Sequence, residues 1–305
     1  MATFGDIRAL LQERFRESTW RKLVAMIDTF EGSEDIAEVV IPYCATHMER
    51  WPSGHPREAP EQWVLDMLYQ RDDTTKLSLV TEVKIPIKII EQDECRALLS
   101  CPHLGGLRRL DMGEASVSAP GMRLLVRCDR WTKLTSANFA GWGLGPKGAR
   151  SLSQAPFLAS ITHLVLDECR LDVRGIDAIL SARHLGELEH LSLSGNKLEG
   201  GLDVIAESEK FHRLKVLKLG RNRLSDAFVE KLAGAPHLAN LELLDLSNCH
   251  LFDRSARELA NSPHLINLIS LDLRKTFISA RGLYELSQSP NVSNLEFFAF
   301  ESTRF

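Results

Sequence analysis

Three groups of residues in this sequence have types and spacings that could do chemistry. Gly143, Gly145 and Gly148 stand in the order G-x-G-x-x-G. Between a strand and a helix, that spacing lets the backbone approach a dinucleotide pyrophosphate. His103, His184, His237 and His264 form a series, three of them directly after proline, and imidazole is a common metal ligand. Six cysteines stand at 44, 95, 101, 128, 169 and 249. None of the three goes far. A lone glycine match is weak evidence for a cofactor. The cysteines hold no C-x-x-C pair, so they lack zinc and thioredoxin signatures and read as free thiols in a reducing compartment. There is no H-E-x-x-H, no Walker lysine loop and no G-x-S-x-G elbow. The expectation is no catalytic residue, no cofactor and no metal, hence a non-enzyme.

Composition narrows the class. The chain has 305 residues, 44% hydrophobic and 26% charged, with 37 basic and 41 acidic side chains for a net charge of −4. That balance gives no electrostatic footprint for nucleic acid or an anionic membrane. No apolar run approaches the length of a membrane span, and the first residues carry no secretory pattern. A cytoplasmic protein is expected. The charge is uneven: residues 1–79 hold 9 basic and 14 acidic residues, whereas 80–305 hold 28 and 27. All five tryptophans (20, 51, 63, 131, 142) precede residue 143.

What positions the candidate groups is a repeat. Leu241, Leu244, Leu246, Cys249 and Leu251 fit L-x-x-L-x-L-x-x-[N/C]-x-L. Leu188, Leu191, Leu193, Asn196 and Leu198 fit it too, as do Leu214, Leu217, Leu219, Asn222 and Leu224. Ile161, Leu164, Leu166, Cys169 and Leu171 match, and Leu268, Leu271, Leu273, Thr276 and Ile278 follow with threonine in the polar slot. Degenerate copies begin at Val80, Leu107 and Leu134, with Lys88, Ala115 and Trp142 in that slot, and a half-copy begins at Leu295. The starts are thus 80, 107, 134, 161, 188, 214, 241, 268 and 295; every step is 27 residues except one of 26.

These residues resemble the leucine-rich repeat family in its longer, ribonuclease-inhibitor-like form. The resemblance covers roughly three-quarters of the chain and is clearest over 161–278. It implies an α/β fold: a right-handed β-α solenoid, a horseshoe with its parallel sheet on the concave face. It also implies recognition of a protein partner there. Because ribonuclease-inhibitor-like arrays include activators of small GTPases, the resemblance allows that role as an alternative. Arg109 and Asn138 are then the only loose candidates for a polar residue near the nucleotide.

Elementary patterning leads to the same architecture. The x-Leu-x-Leu-x stretch alternates with period 2, as a strand with one buried face does. Helical spacing follows in each unit: Ile176, Ile179 and Leu180; Phe228 and Leu232; Leu283 and Leu286. Ser225 and Ser279 are placed to cap their helices. Pro102, Pro156, Pro236, Pro263 and Pro290 recur just beyond the helical segments and stop them. Strands need ~4.8 Å per unit and helices about 8–10 Å, so the array curves with the sheet inside. Nine strands give an inner arc of roughly 38 Å. The repeat also accounts for the glycine match, since Leu144 is a repeat leucine and Gly148 follows it as Gly121, Gly175 and Gly282 follow its equivalents. The four histidines share one repeat position, too far apart for one ion, and are expected to bond loop carbonyls.

Residues 1–79 are expected to form an α-helical N-terminal cap. Ile7, Leu10, Leu11 and Phe15 mark a first helix; Trp20, Leu23, Val24 and Ile27 mark a second. A third covers 33–50, interrupted by Pro42. Residues 51–60 are a turn-rich connector, and Pro60 opens a helix with Trp63, Val64, Met67 and Leu68. An open array must shield its first repeat, here Val83 and Ile85. A docking domain serving an adaptor is the alternative for this segment. At the other end, Phe298, Phe300 and Phe305 either plug the core, or the last strand is an open edge that supports a homodimer or receives a partner strand.

The concave face is what remains for function. Third and fifth repeat positions point off the sheet. Among them and their neighbours, Arg109, Asp111, His163, His190, Lys218, Arg221, Asp245, Asp272, Arg274 and Phe297 are the candidate protein-binding residues. Lys215, Lys218 and Arg221 gather in one repeat, beside Asp245 and Asp272 in the next two. Asp167 and Glu301 also fall two positions beyond the fifth.

Overall fold

The computed structural model describes residues 2–31, 35–52, 56–71, 73–200 and 202–300. Phe305 and Glu301 lie outside the described residues.

The lead-in is helical. α1 (Phe4–Leu11) opens with Thr3, whose hydroxyl accepts the Asp6 amide while the Asp6 carboxylate accepts the Thr3 amide, a reciprocal cap. α2 (Glu17–Asp28) buries Trp20, Leu23 and Ile27. The third segment is not broken at Pro42: a π-helical turn (Ile36–Val40) runs into α3 (Ile41–Met48), with Pro42 in its first turn. Proline is tolerated there because a first-turn N–H has no helical acceptor anyway. α4 (Glu61–Tyr69) starts just after Pro60 and buries Trp63, Val64, Met67 and Leu68.

The rest is strand, turn, helix, return. In chain order come β1 (Glu82–Lys84), β2 (Ile89–Ile90), α5 (Gln92–Ser100), β3 (Arg109–Asp111), β4 (Ser116–Val117), α6 (Ala119–Leu125), β5 (Ser136–Asn138) and α7 (Gly145–Leu152). There follow β6 (His163–Val165), α8 (Val173–Leu180), β7 (His190–Ser192), α9 (Asp203–Glu207), β8 (Val216–Lys218) and α10 (Asp226–Ala233). The array continues through β9 (Leu243–Asp245), α11 (Asp253–Asn261), β10 (Ser270–Asp272), α12 (Ala280–Ser287) and β11 (Phe297–Ala299). Among the described residues, β1-β3-β5-β6-β7-β8-β9-β10-β11 form one parallel, unclosed sheet; β2 and β4 pair separately. The fold is a β-α solenoid with the sheet on its concave side and a helical N-terminal cap.

Register follows the repeat. Glu82 lies opposite Arg109, His163 opposite His190, Lys218 opposite Asp245 and Ser270 opposite Phe297. Val83, Leu110, Ala137, Leu164, Leu191, Leu217, Leu244 and Leu271 stack beneath the sheet, each at most 1% exposed. The cap covers the first edge: the Ala59 amide donates to the Glu82 carbonyl at 2.8 Å, and the Thr81 amide to the Arg57 carbonyl at 3.0 Å. Val83 and Ile85 are buried as a result.

The polar slot forms a buried ladder at most of its positions, though Asn222 reaches back 29 residues to Leu193 and Thr276 bonds Leu273 within its own unit. Asn196 donates to the Leu166 carbonyl at 2.8 Å, Cys169 to Phe139 at 3.1 Å and Cys249 to Leu219 at 3.5 Å. Each bond runs back 30 residues. Trp142 does the same: its indole Nε1–H donates to the Met112 carbonyl at 2.8 Å. The departure at Trp142 is therefore one of size and not of chemistry.

Four expectations need correction. Ser279 caps α12 by accepting the Gly282 amide at 3.3 Å, but Ser225 makes no side-chain cap to α10. There the next residue, Asp226, turns to the following repeat and accepts the Phe252 amide at 2.9 Å. Of the histidine series, His237 alone among the described residues has the expected bond, Nε2 to the Ile205 carbonyl at 2.8 Å. The proline positions do not merely stop helices; Pro102, Pro156, Pro236 and Pro290 each open a 3₁₀ turn. At the far end Phe298 is half-buried and its ring meets Phe300 at 4.9 Å, but Phe300 is 50% exposed. A core position buries its side chain only when the next unit stacks over it, and no described residue does so.

Candidate functional site

The G-x-G-x-x-G residues have a turn function. Gly141, Gly143 and Gly145 all have positive φ (79°, 52° and 54°). Position eight is left-handed from the second repeat to the eighth: Glu114, Gly141, Glu168, Gly195, Arg221, Asn248 and Lys275. Amides in that column extend the strand ladder, Glu168 donating to Ser194 at 2.8 Å and Arg221 to Ser247 at 2.7 Å. Gly148 lies inside α7.

The concave surface consists of side chains from β1, β3 and β5 to β11. Third-position residues Glu82 to Phe297 are all half-buried or exposed. At the N-terminal end, Arg109 Nη1 lies 3.7 Å from Glu82 Oε2. Burial pushes the Glu82 carboxyl above its ordinary value, with Arg109 opposing. Asn138 donates to Asp111 at 2.8 Å. Small side chains on β5 leave a cavity of about 330 Å³ there, lined by Glu82, Arg109, Asp111, Ser136, Asn138 and His163.

In the middle, the His163 and His190 rings stack at 5.7 Å. His163 Nδ1 meets the Thr162 hydroxyl at 2.9 Å. Burial lowers His163, with Glu189 opposing. Burial, Lys218 and His163 together push His190 down to about 4. Both shifts favour the uncharged imidazoles, which form a stacked aromatic ledge.

The basic cluster expected around Lys218 is dispersed. Arg221 Nη2 bonds Glu168 Oε1 at 2.8 Å. It reaches two repeats back, over Gly195, where an added Cβ would sit 2.8 Å from the Glu168 side chain. Lys215 pairs with Glu189 at 3.7 Å. Lys218 lies in register with Asp245 but makes no ion pair among the described residues. The acidic candidates are also engaged. Asp111, Asp245 and Asp272 accept the amides of Gly113, Ser247 and Arg274 at 2.9, 2.9 and 3.0 Å. These are Asx turns that close each strand end. Arg274 Nε contacts both Asp272 oxygens, at 3.0 and 3.1 Å. Phe297 is 56% exposed.

The residue just before each strand also reaches the surface, although the spacing argument did not single it out. There Glu242, Ile269 and Glu296 are exposed beside β9, β10 and β11. The repeat phase would have found them, as the second position of their units. Among the described residues no three His, Cys, Asp or Glu side chains are grouped to hold a metal, and no helix is long and apolar enough to cross a membrane.

Comparison with known proteins agrees with this geometry. The Leucine Rich Repeat family model matches residues 187–207 and 240–262. No curated protein matches the sequence significantly. Among solved structures, internalin C2 from Listeria monocytogenes superposes with a TM-score of 0.50 at 18% identity, covering 80% of this chain and 94% of that one. That likeness is one of fold.

Proposed function

We propose that this chain, whose residues 187–207 and 240–262 match the Leucine Rich Repeat family model, is a non-enzymatic scaffold binding a protein partner through the concave face. One observation carries the proposal: the third-position row on the sheet face opposite the leucine core is half-buried or exposed at every described strand from Glu82 to Phe297. A surface of that extent, offering Arg109, His163, His190, Lys218 and Phe297, suits a macromolecule better than a small ligand. Arg221, Asp245, Asp272, Asp111 and Arg274 hold the rim in shape through the bonds described above. The helix in each unit supports the longer, ribonuclease-inhibitor-like form. Residues 1–79 act as the cap and 80–305 as the array, and the six buried free cysteines suit a cytoplasmic setting. The GTPase-activating alternative is less well supported, because Arg109 faces Glu82 and Asn138 is bonded to Asp111.

The test is affinity capture from cells, identification of the partner by mass spectrometry, and measurement with Lys218→Glu and Asp245→Lys variants. Loss of affinity is expected for a partner seated on the face. Unchanged affinity with these and with Arg109→Glu would move the site to the convex side or the cap.

A further inference from the structure

We propose that the last three strands of the concave face are a docking surface for a basic amphipathic α-helix of a partner protein. This rests on the concave-face reading and specifies which part of the face binds and what it takes.

Two observations converge on β9, β10 and β11. The first is apolar exposure. Ile269 is 40% and Phe297 56% exposed, and Leu243 stands half-buried in the third-position row with Phe297. Ser270 stands between Leu243 and Phe297 in that row, with Ile269 one residue before it, so the apolar side chains form a cluster over the three strands, and an exposed apolar cluster on a sheet marks an interaction site. The second is charge. Second, third and fifth positions of these three strands supply Glu242, Asp245, Asp272 and Glu296 and no lysine or arginine. The same positions supply Lys84, Arg108 and Arg109 around β1 and β3, and Lys215 and Lys218 around β8. Asp272 is matched by Arg274, whereas Glu242 and Glu296 make no ion pair among the described residues. The cluster is therefore framed by carboxylates on both sides, and its complement is apolar in the middle and basic at the flanks.

Spacing selects a helix. From Leu243 to Phe297 the sheet advances two strand gaps, about 10 Å. Two helical turns rise about 11 Å; two same-face steps of an extended chain span about 13 Å. Backbone chemistry agrees. A segment lying across the face of a sheet finds no free ladder, so its amides must be satisfied internally, which a helix does.

The test is a display library of helix-forming peptides panned against the intact chain. Enriched peptides should carry apolar residues at i, i+3 or i+4 and i+7 with lysine or arginine alongside, gain helical circular dichroism on binding, and weaken with salt. Phe297→Glu, and separately Glu242→Lys with Glu296→Lys, should each cost about tenfold or more in affinity, with thermal melts showing the variants folded; Arg150→Glu, exposed on α7 away from the sheet, should not matter. Failure to enrich any peptide, enrichment of acidic or extended sequences, or indifference to the β9–β11 variants would overturn the proposal. If bound peptides instead respond to Arg109→Glu or Lys218→Glu, this inference fails while the concave-face reading stands. If they respond to no concave-face variant, both fail.

Discussion

The Asn196 amide donates to Asn222 Oδ1 at 3.2 Å, one repeat away, inside the core. The same oxygen accepts the Leu198 amide at 3.0 Å, and Asn222 Nδ2 donates to the carbonyls of Leu193 and Leu219 at 3.0 and 2.8 Å. One buried side chain thus satisfies four backbone groups from two units. Asn222→Ala removes no apolar contact of consequence but strands those groups, so a loss of about 3 kcal/mol is expected. Chemical denaturation of wild type and variant measures it; a loss under about 1 kcal/mol would mean water replaces the amide.

Trp142 extends the ladder with a different donor. Trp142→Phe keeps most of the packing against Phe139, whose ring lies 4.4 Å away, but leaves the Met112 carbonyl without its partner. A cost of about 1–2 kcal/mol is expected, and Trp142→Ala should cost more by opening a cavity. Amide exchange should show the effect concentrated in the units around β3 and β5.

Two serines at equivalent helix starts should differ. Ser279 accepts the Gly282 amide, and its hydroxyl also meets Asp253 at 2.7 Å. Ser279→Ala is expected to lower stability by about 1 kcal/mol. Ser225→Ala, at a serine without a side-chain cap, should change the thermal midpoint little. Equal effects would refute the distinction.

His190 sets a pH dependence. Its folded-state value is pushed down to about 4, against roughly 6.5 for an unfolded chain. The unfolded chain therefore takes up the proton first, and native stability falls as pH drops from about 6.5 to 4; above that window the residue contributes no slope. His190→Asn should flatten this part of the profile relative to wild type. Nuclear magnetic resonance titration of the ring reads the value directly, and a midpoint near 6.5 would contradict the burial argument.

Cys169 and Cys249 are fully buried and their thiols raised, Cys169 to about 12 and Cys249 to about 11, burial being the main cause. Both are protonated at neutral pH and should resist alkylation in the native state. Labelling monitored by mass spectrometry should reach them only as denaturant opens the array, and modification of either in the folded protein would argue against the placement.

The repeat phase by itself determines most of the architecture. A side chain's face depends on a period of 2 in a strand and 3.6 in a helix, both local properties. Leu164, Leu191 and Leu217 could therefore be assigned to the core from spacing alone, and His163 opposite His190 follows from a 27-residue step. The Asn, Cys and Thr slot was legible for the same reason. Partnerships between side chains were not, because they depend on reach across units and on which neighbour competes. Arg221 pairs with Glu168 two units back because Gly195 between them has no side chain; among the described residues Lys218 makes no ion pair although Asp245 lies in register, because Asp245 closes its own strand end. Ser225 has the residue type of a cap and Trp142 lacks that of a ladder donor, yet only Trp142 makes the bond. In each case the residue type set what the group could do, and only the tertiary structure brought donor and acceptor within the ~3 Å that a hydrogen bond requires.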